Sequence, residues 1–269
     1  MRSTFSLFSM THRRSLLLAA TVLTVNLVHA QTAAPARLEF EVASVKLTQP
    51  GSREGAGIKA MPGGQRYVAT NVPVRLIFRL MYRLTESQVT GGPAWFNTER
   101  YDIDARADHP YNLDDLHVMF QNLLADRFKV QFHKEPKELP FYALTVDKSG
   151  PKVKLNQTPQ DFEIPFNCSG FAKCRGTRIP MGYFCWTLSG FLDRPVIDKT
   201  GLDKYYDFEL HWTPDLPPGV PKEQIPPGLD LDGPTIFTAL KEQLGLKLEA
   251  LKGPVDIYVI DHAEKPGEN

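Results

Sequence analysis

The run Asn71-Val-Pro-Val-Arg-Leu-Ile-Phe-Arg-Leu-Met-Tyr82 decides the fold class together with the three segments after it: Ser87-Gln-Val-Thr90, the turn Gly91-Gly-Pro93, and Tyr101-Asp-Ile-Asp-Ala-Arg106. Leu76, Phe78, Leu80 and Met81 fall near one face at helical spacing, which predicts an amphipathic helix. Pro73 suits the first helical turn, where an N–H has no intrahelical acceptor. Tyr101, Ile103 and Ala105 alternate with Asp102, Asp104 and Arg106, the period-two pattern of a strand buried on one face. The segment reads helix, strand, turn, strand.

The same order recurs along the chain. Leu113 to Asp126 predicts a helix with Leu116, Met119, Phe120, Leu123 and Leu124 on one face. It leads into Phe128-Lys-Val-Gln-Phe-His133, a turn near Pro136, and Phe141-Tyr-Ala-Leu-Thr-Val146. Pro180 to Leu192 leads into Pro195-Val-Ile-Asp198, the turn Lys199-Thr-Gly201, and Tyr206-Asp-Phe-Glu-Leu-His-Trp212. Pro234 to Leu244, with Gly245 as its C-cap, leads into Leu246-Lys-Leu-Glu249, the turn Lys252-Gly-Pro254, and Val255-Asp-Ile-Tyr-Val-Ile260. One such unit cannot hide its own apolar faces, so several must share sheets. The expected class is α+β: repeated helix–strand–strand units packing helices on antiparallel sheets. Residues 38–150 form a first half with two units, 166–265 a second half with two units, and 151–165 a polar connector. Leu38 to Lys46 and Arg66 to Thr70 read as further strands, with Gln49 to Gln65 a loop between them. The proline-rich stretch 214–234 reads as an extended surface loop.

Composition narrows the function. The chain has 269 residues, 31 basic and 31 acidic, with 42% hydrophobic residues. That is an ordinary globular balance and excludes collagen, simple disorder and a polytopic membrane protein. Zero net charge argues against nucleic acid as a partner, because phosphate neutralisation needs a basic surface. Residues 1–30 read as a secretory signal peptide: Arg2, Arg13 and Arg14, an apolar run from Ser15 to Val28, then Val28-His-Ala30 before Gln31. The apolar run is shorter than the roughly 20 residues a spanning helix needs. Cleavage removes three arginines and no acid, leaving a net charge of −3 and no membrane span. The expected location is periplasmic or extracellular.

In an oxidising compartment Cys168 and Cys174, flanking Ser169 to Lys173, are expected to pair as a disulfide. Cys185, inside Tyr183-Phe-Cys-Trp186, reads as a small buried hydrophobe.

Familiar catalytic patterns fail on inspection. Ser149-Gly-Pro-Lys152 fits S-x-x-K by letter and Lys199-Thr-Gly201 fits KTG, but Pro151 puts the first in a turn rather than at a helix start. The KTG reads as a turn with Gly201 at positive φ. The histidines His109, His117, His133, His211 and His262 include no H-x-x-x-H pair. His133, His211 and His262 end equivalent expected strands and would gather at one edge if the units stack in register. Asp102 and Asp104 read as a solvated strand face. Asp230-Leu-Asp-Gly233 lacks the acid that would close a calcium loop, since Lys241 stands there. No metal or cofactor is expected.

Aromatic residues near turns and strand ends are the candidate binding residues: Trp95, Phe96, Tyr205 and Trp212, with Arg100 beside the first pair. They point to a non-enzymatic module that binds an envelope protein, peptide or glycan by side-chain burial and strand addition. The alternative is an exported hydrolase or peptidase-associated sensor domain, which a pocket joining Asp198, His211 and an acidic partner would mark.

Several stretches carry a family resemblance: Phe40-Glu-Val-Ala-Ser-Val-Lys46, Gly92-Pro-Ala-Trp95, Tyr101-Asp-Ile-Asp-Ala105, Leu123-Leu-Ala-Asp-Arg-Phe128, Pro195-Val-Ile-Asp-Lys-Thr-Gly-Leu202, Tyr206-Asp-Phe208, Phe237 through Gly245, and Val259-Ile-Asp-His-Ala-Glu-Lys-Pro266. Through them residues 38–265 resemble a domain family of unknown function, exported by soil acidobacteria. The resemblance implies no activity and no catalytic residues. Its relatives are similar to the exported part of some membrane-anchored peptidase sensors, which implies binding or signalling. The helix–strand–strand units also look like the small N-terminal domains of secretins and TonB-dependent transporters.

Overall fold

Chain order begins with strands β1 (Val42–Leu47), β2 (Gly57–Ala60) and β3 (Arg66–Pro73). Helix α1 (Val74–Met81), β4 (Val89–Gly91), the single turn α2 (Trp95–Thr98) and β5 (Arg100–Arg106) come after them. Next are α3 (Leu113–Arg127) and the long strand β6 (Gln131–Val146), then β7 (Lys154–Leu155), β8 (Phe166–Ser169) and β9 (Lys173–Pro180). The chain continues through α4 (Met181–Phe191), β10 (Val196–Asp198) and β11 (Tyr205–His211). It closes with α5 (Ile236–Ala239), a π-helical turn Leu240–Leu244, and β12 (Leu246–His262). This computed structural model describes residues 37–49, 51, 55–158, 162, 164–169, 172–214 and 231–267. The signal segment 1–30 and most of the proline-rich stretch 214–234 lie outside the described residues.

The strands form three four-stranded sheets, ordered β1-β5-β3-β2, β10-β6-β12-β4 and β7-β11-β9-β8. Helices and mainly antiparallel sheets give an α+β fold. The first and third sheets are laid out alike. In each, a strand ending in proline (Pro73, Pro180) runs straight into a helix. Helix α1 buries Val74, Ile77, Phe78 and Met81, and α4 buries Met181, Phe184, Cys185 and Leu188 at the same spacing. Each helix then leads to a three-residue strand of the central sheet, β4 or β10. Strand β4 pairs in parallel with β12, and β10 pairs in parallel with β6. The central sheet thus takes strands from both 38–150 and 166–265, and one hydrophobic core runs through both segments. The connector 151–165 joins segments that share a sheet.

Two expected hairpins prove to be single strands. β6 and β12 pair antiparallel from Gln131 to Val146 and from Leu246 to His262, straight through Pro136 and Pro254, where the sequence predicts turns. The reason lies in which way the prolines face. Tyr142 N–H donates to Pro195 O, and Leu144 O accepts from Lys199 N–H, so even-numbered positions of β6 turn their backbone away from β12. Pro136 and Pro140 occupy such outward positions and take no donor from the ladder. Pro254 is outward in the same sense on β12, where Ile260 O accepts from Gly92 N–H. Strand β2, inside the expected loop Gln49–Gln65, is a second correction: Gly57–Ala60 pairs with Tyr67–Thr70.

Local chemistry sets the helix ends. The Asn112 side chain accepts from Asp115 N–H at 2.9 Å, and Asp114 and Asp115 sit in the first turn of α3 with Arg127 in the last, matching the helix dipole. Thr235 caps α5, and Gly245, at φ 63°, ends the π turn. Phe78, Phe96, Phe120, Phe128 and Phe184 are the largest fully buried rings.

Candidate binding cleft

The end of α1 with the turn after it, and the second half of α4 with the residues after it, line a cleft of about 570 Å³ between residues 79–87 and 186–194. Its apolar lining is Leu80, Leu84, Trp186, Phe191 and Leu192; Arg79, Glu86, Asp193 and Arg194 supply the charges. The first wall is fixed by a 3-10 turn, Glu86–Gln88. There Thr85 N–H donates to the Gln88 side chain at 3.1 Å, and Gln88 Nε2 reaches Asp256 O on β12. Glu86 accepts from Arg75 Nε at 3.0 Å and from Arg79. The second wall is held by Ser189, whose hydroxyl donates to Cys185 O and accepts from Val196 N–H, both at 2.8 Å. Asp193 and Arg194 clasp each other through two bonds, 3.0 and 2.5 Å. The Arg194 guanidinium holds the Asp193 carboxyl below its usual range.

Two aromatic rings are braced from behind. Trp186 packs edge-on against Tyr183 at 5.3 Å, and Phe191, half exposed, packs edge-on against Trp212 at 5.1 Å. A second cleft of about 380 Å³ shares Trp186 and Ser189 and adds Arg83, Lys199 and Asp256.

The main cleft shows no nucleophile paired with a base. Thr187 donates its hydroxyl to Tyr183 O, and Ser189 is doubly engaged by the backbone. The catalytic letter patterns of the sequence are scattered. Ser149 Oγ donates to Asp147, whereas Lys152 Nζ donates to Glu242 O. Thr200 turns back on Asp198, and Gly201 takes φ 70°. Asp198 ends β10 of the central sheet and His211 ends β11 of the third, with His211 N–H bonded to Gln243. His211 is therefore in a different sheet from His133 and His262. His133 bonds Glu135 at 3.0 Å and Asp261 at 2.8 Å, and these carboxylates raise its pKa. His117 is buried against the Tyr67 hydroxyl at 3.1 Å; burial, and then Arg83, lowers its pKa to about 4 and keeps it neutral. Among the described residues no group of three or more His, Cys, Asp or Glu side chains is placed to hold a metal ion. Cys168 and Cys174 form a disulfide across paired strands β8 and β9, and Cys185 is buried, which pushes its thiol pKa up.

The five aromatic and arginine candidates do not converge. Phe96 is fully buried and Trp212 is 9% exposed, so both are core rings without a free face for a partner. Trp95 is half-buried and stacks on Phe128. Arg100 donates to Asn71 O at 2.8 Å and lines a separate polar cleft with Thr48 and Glu99. Tyr205 lies under the Arg178 guanidinium at 4.1 Å. None of the five lines the main cleft, although Trp212 backs Phe191. Sequence reading missed Trp186, Phe191, Arg79, Glu86, Asp193 and Arg194. Trp186 is partly buried against the core and also lines the cleft, a double role that no sequence pattern marks.

The family described as "Protein of unknown function (DUF3738)" matches residues 75–263. The chain belongs to that family. The DUF3738 span begins inside α1 and ends just past β12, so it contains both walls of the cleft and the whole central sheet. Strands β1, β2 and β3 precede it. No curated protein and no solved structure matches the chain. Among the described residues no helix is long and apolar enough to cross a membrane.

Proposed function

We propose that this chain is an exported, non-enzymatic binding module of the bacterial envelope, and that its ligand site is the cleft between residues 79–87 and 186–194. The carrying observation is the lining: an apolar floor with braced aromatic rings, paired charges at the rim, and hydroxyls already engaged, Thr187 and Ser189 by the backbone and Thr85 and Ser87 by each other. Such a surface holds a ligand by burial and orients it by a few polar groups, without groups placed to react. The N-terminal sequence pattern, the Cys168–Cys174 disulfide and the likeness to acidobacterial exported proteins support export. Partners are envelope peptides or glycans. Strand addition to the central sheet is disfavoured, because Pro136, Pro140 and Pro254 occupy outward edge positions and offer no N–H.

The test has two arms. Fractionation is expected to place the protein in the periplasm or medium with its N-terminus at Gln31; full-length protein confined to the cytoplasm removes the export reading. Thermal shift is then measured with peptide and oligosaccharide libraries on the wild type and on Gly190→Trp. Gly190 lines the cleft and a Cβ added there meets nothing within 4 Å, so the backbone accepts a side chain, and an indole at this position obstructs the cleft. A ligand that raises the wild-type melting temperature by a few degrees and leaves the plugged variant unmoved is the expected result. Equal shifts in both proteins, or none in either, defeat the cleft as the site.

A further inference from the structure

The charged groups lining the cleft are already partnered, and that selects a class of ligand. Glu86 is held by Arg75 and Arg79, and Asp193 by Arg194. The carboxylates are the outer members, 64% and 63% exposed, while Arg79 and Arg194 lie lower at 25% and 29%. The four charges lining the cleft cancel. A charged ligand would have to break one of these pairs to make its own. A neutral ligand rich in hydroxyls would not. It accepts from guanidinium N–H groups and donates to spare carboxylate lone pairs while each ion pair stays closed. Trp186 and Phe191 add apolar surface to the lining, each packed against a second aromatic ring. A molecule with an apolar C–H face and a rim of hydroxyls matches both features at once.

Resting on the cleft reading above, we propose that the ligand is a neutral oligosaccharide, one pyranose ring lying against Trp186 and Phe191 with its hydroxyls shared between the Arg79–Glu86 and Asp193–Arg194 pairs. The volume of about 570 Å³ lies in the small-molecule range and exceeds what one sugar ring fills, so the ligand is more than a monosaccharide. The walls support a sugar over an extended peptide. They are helix ends and turns rather than a strand edge, so a peptide backbone has no ladder to join.

Chitotetraose, cellotetraose, maltotetraose and xylotetraose are titrated separately into the mature protein, with tryptophan fluorescence and calorimetry as readouts. A pool of N-acetylated hexapeptides is titrated in parallel. At least one tetrasaccharide binds saturably. Trp186→Ala weakens that binding at least tenfold, and Glu86→Gln, which keeps a side-chain oxygen to accept from Arg75 or Arg79, weakens it several-fold. Binding that both variants retain overturns the proposal. So does hexapeptide binding blocked by Gly190→Trp with no tetrasaccharide bound, although the cleft would then stand as a binding site. Neither class binding overturns both the saccharide and the cleft.

Discussion

The first and third sheets solve one packing problem with different means. Both place a proline-led helix behind a bulged strand pair, and both send a short strand into the central sheet. The first layer is closed by α3, fifteen residues with Leu116, Met119, Phe120 and Leu124 inside. At the corresponding place the third layer has the four-residue α5 and a π turn. Its edge strand β7 is two residues long. What the third layer adds instead is covalent: the disulfide between its strands β8 and β9. A layer with less apolar surface to bury is steadied by restricting its unfolded chain.

The largest test of that contrast is in the core. Phe120 is fully buried and packs edge-on against Tyr67 at 5.3 Å and Phe40 at 5.9 Å. Phe120→Ala is expected to cost about 4 kcal/mol, and Leu240→Ala in the π turn about 3 kcal/mol, from lost burial and the cavity left. Urea midpoints at unchanged slope measure both. A larger loss from Leu240→Ala would reverse the ranking of the two layers. The disulfide comes next. Cys168 and Cys174 are six apart in sequence, so the loop they close is short and reduction is expected to cost about 2 kcal/mol. Hydrogen exchange should quicken in β8 and β9 and stay unchanged in β1 and β5. Equal quickening in both layers would show that the disulfide steadies the whole molecule rather than its own sheet.

The parts of this fold that sequence revealed are those where one residue's pattern states one fact. Helices α1 and α3 announced themselves because their apolar residues repeat at helical spacing, and Pro73 marked where α1 begins. Strand β5 did so by strict alternation. Pro136 and Pro254 misled, because a proline marks a turn or an edge position equally well and only the pairing tells which. Strand β9 carries Gly176 in its interior, where a strand pattern is hardest to read. The glycine is there because a Cβ would meet the Phe208 ring at 2.9 Å. The cleft was illegible for a different reason. Its walls are helix ends and turns in separate segments of the chain, and no local pattern says that Glu86 and Asp193 face the same space. Exposed-looking aromatics drew attention to Trp95 and Trp212, yet ring size is equally a core signal, and burial won at Phe96 and Trp212.

The smallest expected effect probes the bulges, where the two layers come closest to being identical. Asn71 and Arg178 both adopt positive φ, 52° and 48°, next to register shifts in β3–β5 and β9–β11. At such a shift a backbone N–H leaves the ladder and needs another acceptor. An aspartate on the neighbouring strand provides it in each layer: Asn71 N–H donates to Asp102, and Arg178 N–H to Asp207, both at 2.7 Å. Asp207 has a further duty, accepting from the Asn156 side chain at 2.8 and 3.0 Å and so tying down the chain just after β7. Asp102→Ala is therefore expected to cost about 1 kcal/mol and Asp207→Ala about 2 kcal/mol, since the second strands two donors rather than one. Adding Asn156→Ala to each variant separates the shares: it should cost less on the Asp207→Ala background than on the Asp102→Ala background. Equal costs on the two backgrounds would mean that Asn156 contributes nothing through Asp207, and that the third layer's short edge is held by its backbone pairing alone.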